Sequence, residues 1–319
     1  MRLGKVSETI MNRSVLKQLP EAKAMKTFGD TVISNVSLYG TEEQLGVYAA
    51  SRAVNEVLIK GANPTGLKVT ILLPADTEEI FLKAVVSHLA SCGKAWRIPI
   101  LSVQAEVCPI ISQTVVQVTA VGTAGEMEPF TEKPVGWDIV LTKWIGIEGT
   151  LRILRKERDA LSKRFARTFL WGIDEWQEML FARAEIELAR DHGAQYLRQV
   201  TEGGIFAALW DLAAETGTGL EVRMEQIPIR QETVELCEYL RINPYQLVSS
   251  GCILMLAEDG GKLTEILAGQ GVRAVVLGKT TGSSEKVILR GEEKRFLDRP
   301  APDEWLKLFD CQKQEGNDD

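Results

Sequence analysis

Residues 124–136 read AGEMEPFTEKPVG, a run of prolines, glycines and charges with no apolar period. It interrupts two stretches in which strand-like and helix-like patterns alternate, so the chain is expected to fold as two α/β units divided near Pro134. Length agrees: 319 residues are too many for one ordinary core and suit two domains of common size. The expected division is a domain over 1–134, a second over 135–300 and a tail over 301–319. Before the break, "LKVTILLP" has the composition of a buried strand, and Glu78 to Ser91 carry helical spacing through Ile80, Val85 and Leu89. "RIPILSV" and "TVVQVTAVG" follow as strands.

After the break, "WDIVLTKW" is a strand that runs into "GIEGT" and a basic segment, Leu151 to Leu170. Arg152, Arg155, Lys156, Arg158, Lys163, Arg164 and Arg167 predict either a solvated helix face, with Leu151, Leu154, Leu161 and Phe165 inward, or a docking surface for an acidic partner. Asp174 and Gln177 frame a capping-box-like start for a helix to about Arg190, with Gly193 beyond its end. Then come "EVRMEQIPI" as a strand, a helix from Thr233 to Arg241 closed by Asn243-Pro244, "SSGCILMLAED", a helix near Lys262 to Leu267, and "VRAVVLGK". Helices covering a sheet are expected, in an α/β or α+β domain.

Within this half, "TEGGIFAALWDLA" has Ile205, Leu209, Leu212 and Ala213 on one helical stripe and Gly217 at the C-terminal cap position. Thr201 is placed to cap the start, which would leave the N–H groups near Gly203 and Gly204 unpaired. Two readings stay open. The glycines allow close packing against a neighbouring strand, or they bare a helix N-terminus suited to an anion. Glu202 would repel such an anion unless a cation or a hydrogen bond intervened.

The charge balance, 44 acidic against 37 basic residues, weighs against a protein built to grip nucleic-acid phosphates. Cys92, Cys108, Cys237, Cys252 and Cys311 show no CxxC spacing, and His88 and His192 lie far apart, so no zinc site is expected. Nor is a haem or an iron–sulfur cluster. An odd cysteine count without a signal peptide points to a reducing, cytoplasmic setting, and no apolar run approaches a membrane span. Cys311, in a polar tail, reads as an inconsequential thiol.

Several segments, in order, resemble the AIR synthase superfamily and most of all its HypE-like, AIR synthase-related branch. They are "MRLGKVSETIM", "AVNEVLIKGANPTGLKVTILLP", "VTAVG", "DIVLTKWIGIEGT", "VTEGGIFAALWDLA", "IPIRQETVELC", "INPYQLVSSGCILM" and "VRAVVLGKTT". The resemblance implies a PurM-like fold of two α/β domains: an N-terminal mixed-sheet domain that pairs into a homodimer, and a C-terminal α/β sandwich. It also implies ATP and Mg²⁺ in a cleft, phosphoryl transfer to an amide, carbamoyl or phosphate-accepting substrate, and Thr201 to Gly204 with Ser249, Ser250 and Gly251 lining that cleft.

Departures from the family pattern fall on the metal and phosphate side. Only Asp30 remains of an aspartate-rich segment, the Asn-Asp pair appears as Asn55-Glu56, and a glycine-rich segment reads "SVQAEV", leaving Gln104 and Glu106. Arg198 and Gln199 replace a His-Asp before the glycine pair. The resemblance thus implies Glu56 and Glu106 as metal ligands, with Asp30, Asn55 and Gln104 near the nucleotide. The departures leave two functions in competition: an ATP-dependent enzyme, or a scaffold with a degenerate site that serves an intact paralogue or another protein. The C-terminal Pro-Arg-Ile-Cys of HypE is absent, which argues against chemistry that needs that cysteine.

Overall fold

A computed structural model of the chain describes residues 6, 8–19, 27–125 and 133–309. Most of "MRLGKVSETIM" and Cys311 lie outside the described residues. The chain divides into two compact units, one of Glu8–Glu128 and one from Pro129 onward.

The first unit is built on β1 (Thr27–Phe28), β2 (Thr31–Gly40), β3 (Ala62–Leu73), β4 (Ile100–Val107) and β5 (Thr114–Ala124), in the order β1-β2-β5-β3-β4. Only β3 and β4 run parallel. Helices α1 (Leu45–Ile59) and α2 (Glu79–Trp96) are the long elements that accompany this sheet, preceded in the chain by short helical turns at Glu8–Met11 and Asn12–Leu16. Alternation decides the two faces. Val116, Val118 and Ala120 of β5 are buried, and a Cβ at Gly122, on the same face, would stand 2.5 Å from Val57 of α1, so the absence of a side chain lets α1 close on the sheet.

Among the described residues of this unit the other face is uncovered. The register sets Thr70 beside Gln117 and Gln104, and Leu72 beside Val115 and Glu106. Asn35 Nδ2 donates to Thr119 Oγ1 at 2.7 Å, and Gln117 Nε2 donates to Asn35 Oδ1 at 3.0 Å, so polar side chains tie β2 to β5 across this surface. Ile33 and Tyr39 leave it 46% and 42% exposed.

α2 runs past Ser91 to Trp96, and Arg97 closes it in the left-handed region at φ 57°. β4 begins later than "RIPILSV" suggests, because Pro99 has no N–H for the ladder.

The second unit holds a seven-stranded sheet in the order β12-β11-β8-β10-β6-β9-β7. Its strands are β6 (Asp138–Thr142), β7 (Tyr196–Gln199), β8 (Gly219–Arg223), β9 (Ile253–Ala257), β10 (Ala274–Thr281), β11 (Lys286–Arg290) and β12 (Glu293–Phe296). The helices are α3 (Ile147–Lys156), α4 (Arg158–Arg164), α5 (Arg167–Asp174), α6 (Arg183–Asp191), α7 (Gly204–Thr216), α8 (Gln231–Leu240) and α9 (Gly260–Gly269). Ile205, Leu209, Leu212 and Ala213 of α7 pack with Ile139 and Leu141 of β6, Leu254 and Leu256 of β9, and Leu220 and Val222 of β8. β9 lies between β6 and β7, and all five of its residues are buried.

Two expectations for this unit need correction. The basic segment is three helices, with breaks at Glu157 and near Phe165, and Arg152 is 3% exposed rather than solvated. Asp174 does not open an α-helix, and its side chain caps nothing. Its carboxylate accepts from Arg158 Nη2 at 2.9 and 3.0 Å and pairs with Arg155, so α5 ends there and a 3₁₀ turn, Glu175–Leu180, follows. The ion pairs use the carboxylate that a cap would need. Among the described residues no helix is long and apolar enough to cross a membrane.

Candidate functional site

β9 runs antiparallel to both β6 and β7, so the C-terminal ends of those two strands and the start of β9 meet at one end of the sheet. Thr142 closes β6 there. Its Oγ1 accepts the Ile253 N–H at 3.0 Å and its carbonyl accepts from Cys252 Sγ at 2.8 Å. Burial pushes the Cys252 thiol well above its ordinary range, with Lys143 opposing, so this sulfur stays protonated.

Lys143 follows in the left-handed region, φ 57°, which turns its side chain inward. Its ammonium donates to Met179 O at 2.7 Å and Phe181 O at 3.2 Å and pairs with Glu185 at 2.8 Å. Both side chains of the pair are nearly enclosed, 10% and 9% exposed, so each charge depends on the other. Gly146, φ 78°, precedes α3 and donates its N–H to Ser249 Oγ at 2.6 Å; a Cβ there would stand 2.7 Å from Thr233. Ser249 in turn donates to Leu247 O at 2.8 Å.

Ser250 Oγ is fully buried, with no hydrogen-bond partner among the described residues. Gly251 donates its N–H to Gln199 Oε1 at 3.4 Å, at φ 87°, with Met179 O only 2.3 Å from where a Cβ would be. Lys143 and Glu185 escape a reading of the sequence, because nothing local marks a lysine and a glutamate as partners.

At the start of α7 the expected cap is corrected. Gly203, at φ 81°, is the N-cap residue with no side-chain cap of its own, and Thr201 offers only its carbonyl, to the Gly204 N–H at 3.0 Å. The donors are not free. Gly203 N–H donates to Asp303 Oδ2 at 2.8 Å, and Asp303 Oδ1 accepts from Trp305. A carboxylate suits this end of a helix, and here it belongs to the chain itself.

Both glycines also meet packing demands. A Cβ on Gly203 would come within 2.8 Å of Ala207 Cβ, and one on Gly204, φ 62°, within 2.5 Å of Tyr245 O. Glu202 is exposed. Beyond Asp303, Glu304 accepts from the Asn243 N–H at 2.9 Å, and Arg152 lies over the Trp305 ring at 4.4 Å, so part of the basic segment faces the chain's own residues 303–309. Arg198 is tied to α7 through Asp211 and Glu215 and to the Tyr196 hydroxyl. Burial works against its charge, but these partners more than offset that and keep it protonated.

The N-terminal candidates do not converge. Asp30 lies exposed between β1 and β2, where its carbonyl accepts from the Ala124 N–H. Asn55 is buried in α1, with Glu56 beside it and partly exposed. Gln104 and Glu106 lie on the face of the sheet away from α1, exposed on edge strand β4. Glu56 and Glu106 are therefore on opposite sides of a five-stranded sheet and cannot share one ion within one copy of this unit. Among the described residues no group of three His, Cys, Asp or Glu side chains is placed to hold a metal.

Fold and site together define a class: two α/β units in tandem, the second with a glycine-opened helix beside a polar cluster at its strand ends. Comparison with known families gives the rest. Residues 12–124 match the AIR synthase related protein, N-terminal domain, and residues 135–290 match the AIR synthase related protein, C-terminal domain. The chain belongs to the AIR synthase related family. It is 25% identical over 269 residues to the carbamoyl dehydratase HypE of Rhodobacter capsulatus, covering 82% of this chain and 76% of that one. Its fold is that of the hydrogenase maturation protein HypE in complex with ATP, with TM-score 0.73 at 18% identity over 95% and 97% of the two chains. It is likewise that of HypE in a HypE–HypF complex, with TM-score 0.70 at 19% identity over 90% and 100%.

Proposed function

We propose that this chain is a HypE-like scaffold protein that has lost phosphoryl transfer, keeps some capacity for an anion or nucleotide, and acts by docking to another protein. The observation that carries the proposal is the separation of Glu56 from Glu106 across the N-terminal sheet. Mg²⁺ takes a near-octahedral set of hard oxygen ligands and tolerates misplacement poorly, so two carboxylates on opposite faces do not make its site. Asp303 on the Gly203 N–H adds to this, because the donor that an incoming anion would use is already engaged. A HypE has been seen with HypF, which supports a protein partner for a chain of this fold.

A second reading, an active Mg-ATP-dependent enzyme acting on an amide, carbamoyl or phosphate-accepting substrate, is favoured by one observation. Gln104 and Glu106 face outward from an uncovered sheet, where a second copy would bring further ligands. A HypE has also been seen with ATP.

Thermal unfolding with millimolar Mg-ATP, against ADP and EDTA controls, separates the two. Nucleotide at about a hundred times its dissociation constant stabilises a fold by about 2.7 kcal/mol, a shift of a few degrees. The scaffold reading expects no magnesium-dependent shift and no ATP turnover. A shift that Glu56→Ala and Glu106→Ala each abolish would overturn it in favour of the enzyme.

A further inference from the structure

Trp144 lies beside the strand-end cluster, directly after Lys143, and two arginines lie over its ring. Arg230 has its guanidinium carbon 4.2 Å from the Trp144 ring centroid, and Arg273 is 5.5 Å from the same point. Arg230 is also 4.9 Å from the centroid of Trp176, so one guanidinium is held by two indoles. Stacking of this kind fixes the plane and rotamer of an arginine while leaving the hydrogen-bonding edge of its fork unused.

Among the described residues neither arginine has an ion pair or a side-chain hydrogen bond, in a unit where Arg155, Arg158, Arg183 and Arg198 all reach a carboxylate. The Arg230 Nε is enclosed without an acceptor, while its Nη groups are not enclosed. Lys143, the neighbouring cation, is neutralised by Glu185. Arg230 is also the N-cap residue of the ten-residue helix α8, with no side chain capping that end. Glu232 in the first turn of α8 is the nearest carboxylate in sequence and pairs with neither arginine.

We propose that Trp144, Arg230 and Arg273 form a binding site for a phosphate oxyanion. Two guanidinium forks and a helix N-terminus offer more donors than a carboxylate can accept, and they match the several oxygens and the double charge of a phosphate. The indoles hold the arginines in position, so little rotamer entropy remains to be lost on binding.

The test uses inorganic pyrophosphate, which carries neither base nor sugar, titrated into the full chain at constant ionic strength with EDTA present. Calorimetry reports affinity, and tryptophan fluorescence reports a ligand beside Trp144. Saturable binding is expected, weakened about tenfold in Arg273→Gln, the loss of one charged hydrogen-bond donor. Arg273 is exposed, so that variant keeps its fold. Arg230→Met should weaken binding at least as much, while Arg183→Gln, which removes an arginine stacked on Phe181 and paired with Glu187, should leave it unchanged. No saturable binding, or wild-type affinity in Arg273→Gln, overturns the proposal.

Discussion

Lys143 and Glu185 show what a single residue contributes to the site. The pair is nearly enclosed, so removing one partner leaves the other as an uncompensated charge. Lys143→Met should cost about 3–5 kcal/mol in urea unfolding, whereas Lys143→Met with Glu185→Leu should recover most of that loss. Equal losses in the single and double variants would mean that the strained Lys143 backbone, and not the ion pair, governs this turn. The sequence reads as a strand leading into "KWIG", which locates the turn. It does not reveal the pair, because charge complementarity at a distance leaves no periodic trace. Arg152 illustrates the same blindness: it sits in a run of basic residues, yet packs on Trp305 instead of facing water.

Helix α7 was legible as an element because its evidence is local. Ile205, Leu209, Leu212 and Ala213 repeat at helical spacing and all enter the core, and Gly217 caps the end at φ 65°. Its start is less legible. Two glycines announce an unusual opening, but the group that caps it comes from Asp303, which no short-range pattern can supply. Asp303→Ala removes both the acceptor and its favourable charge at the helix N-terminus and should destabilise the C-terminal unit by about 1–2 kcal/mol in chemical denaturation. Asp303→Asn, which keeps an acceptor, should lose less. Indifference of both variants would show that Gly203 has no need of the carboxylate. The basic segment failed as a single helix for a related reason: helix propensity continues through Glu157, while the ion pairs of Asp174 with Arg155 and Arg158 fold the chain back.

At the scale of the molecule, two α/β units were readable from alternating patterns on either side of residues 124–136, while the mixed N-terminal sheet followed only from the family resemblance. Strand β2 and helix α1 were not assigned from periodicity, since α1 is buried almost all round and shows no polar stripe. The uncovered face of the N-terminal sheet, with Ile33, Tyr39 and Val121 among polar neighbours, fits a homodimer surface. Sedimentation at micromolar concentration should show a dimer, and Ile33→Glu should shift it to monomer without changing the circular dichroism. A wild-type monomer would remove that surface from consideration. The contact of Gly203 with Asp303 has a further consequence in time. It joins positions 100 residues apart. On the ribosome, helix α7 emerges long before its cap, and its first turn stays frayed while two more helices and all five remaining strands are made. The N-terminal unit, complete by then, has no such wait.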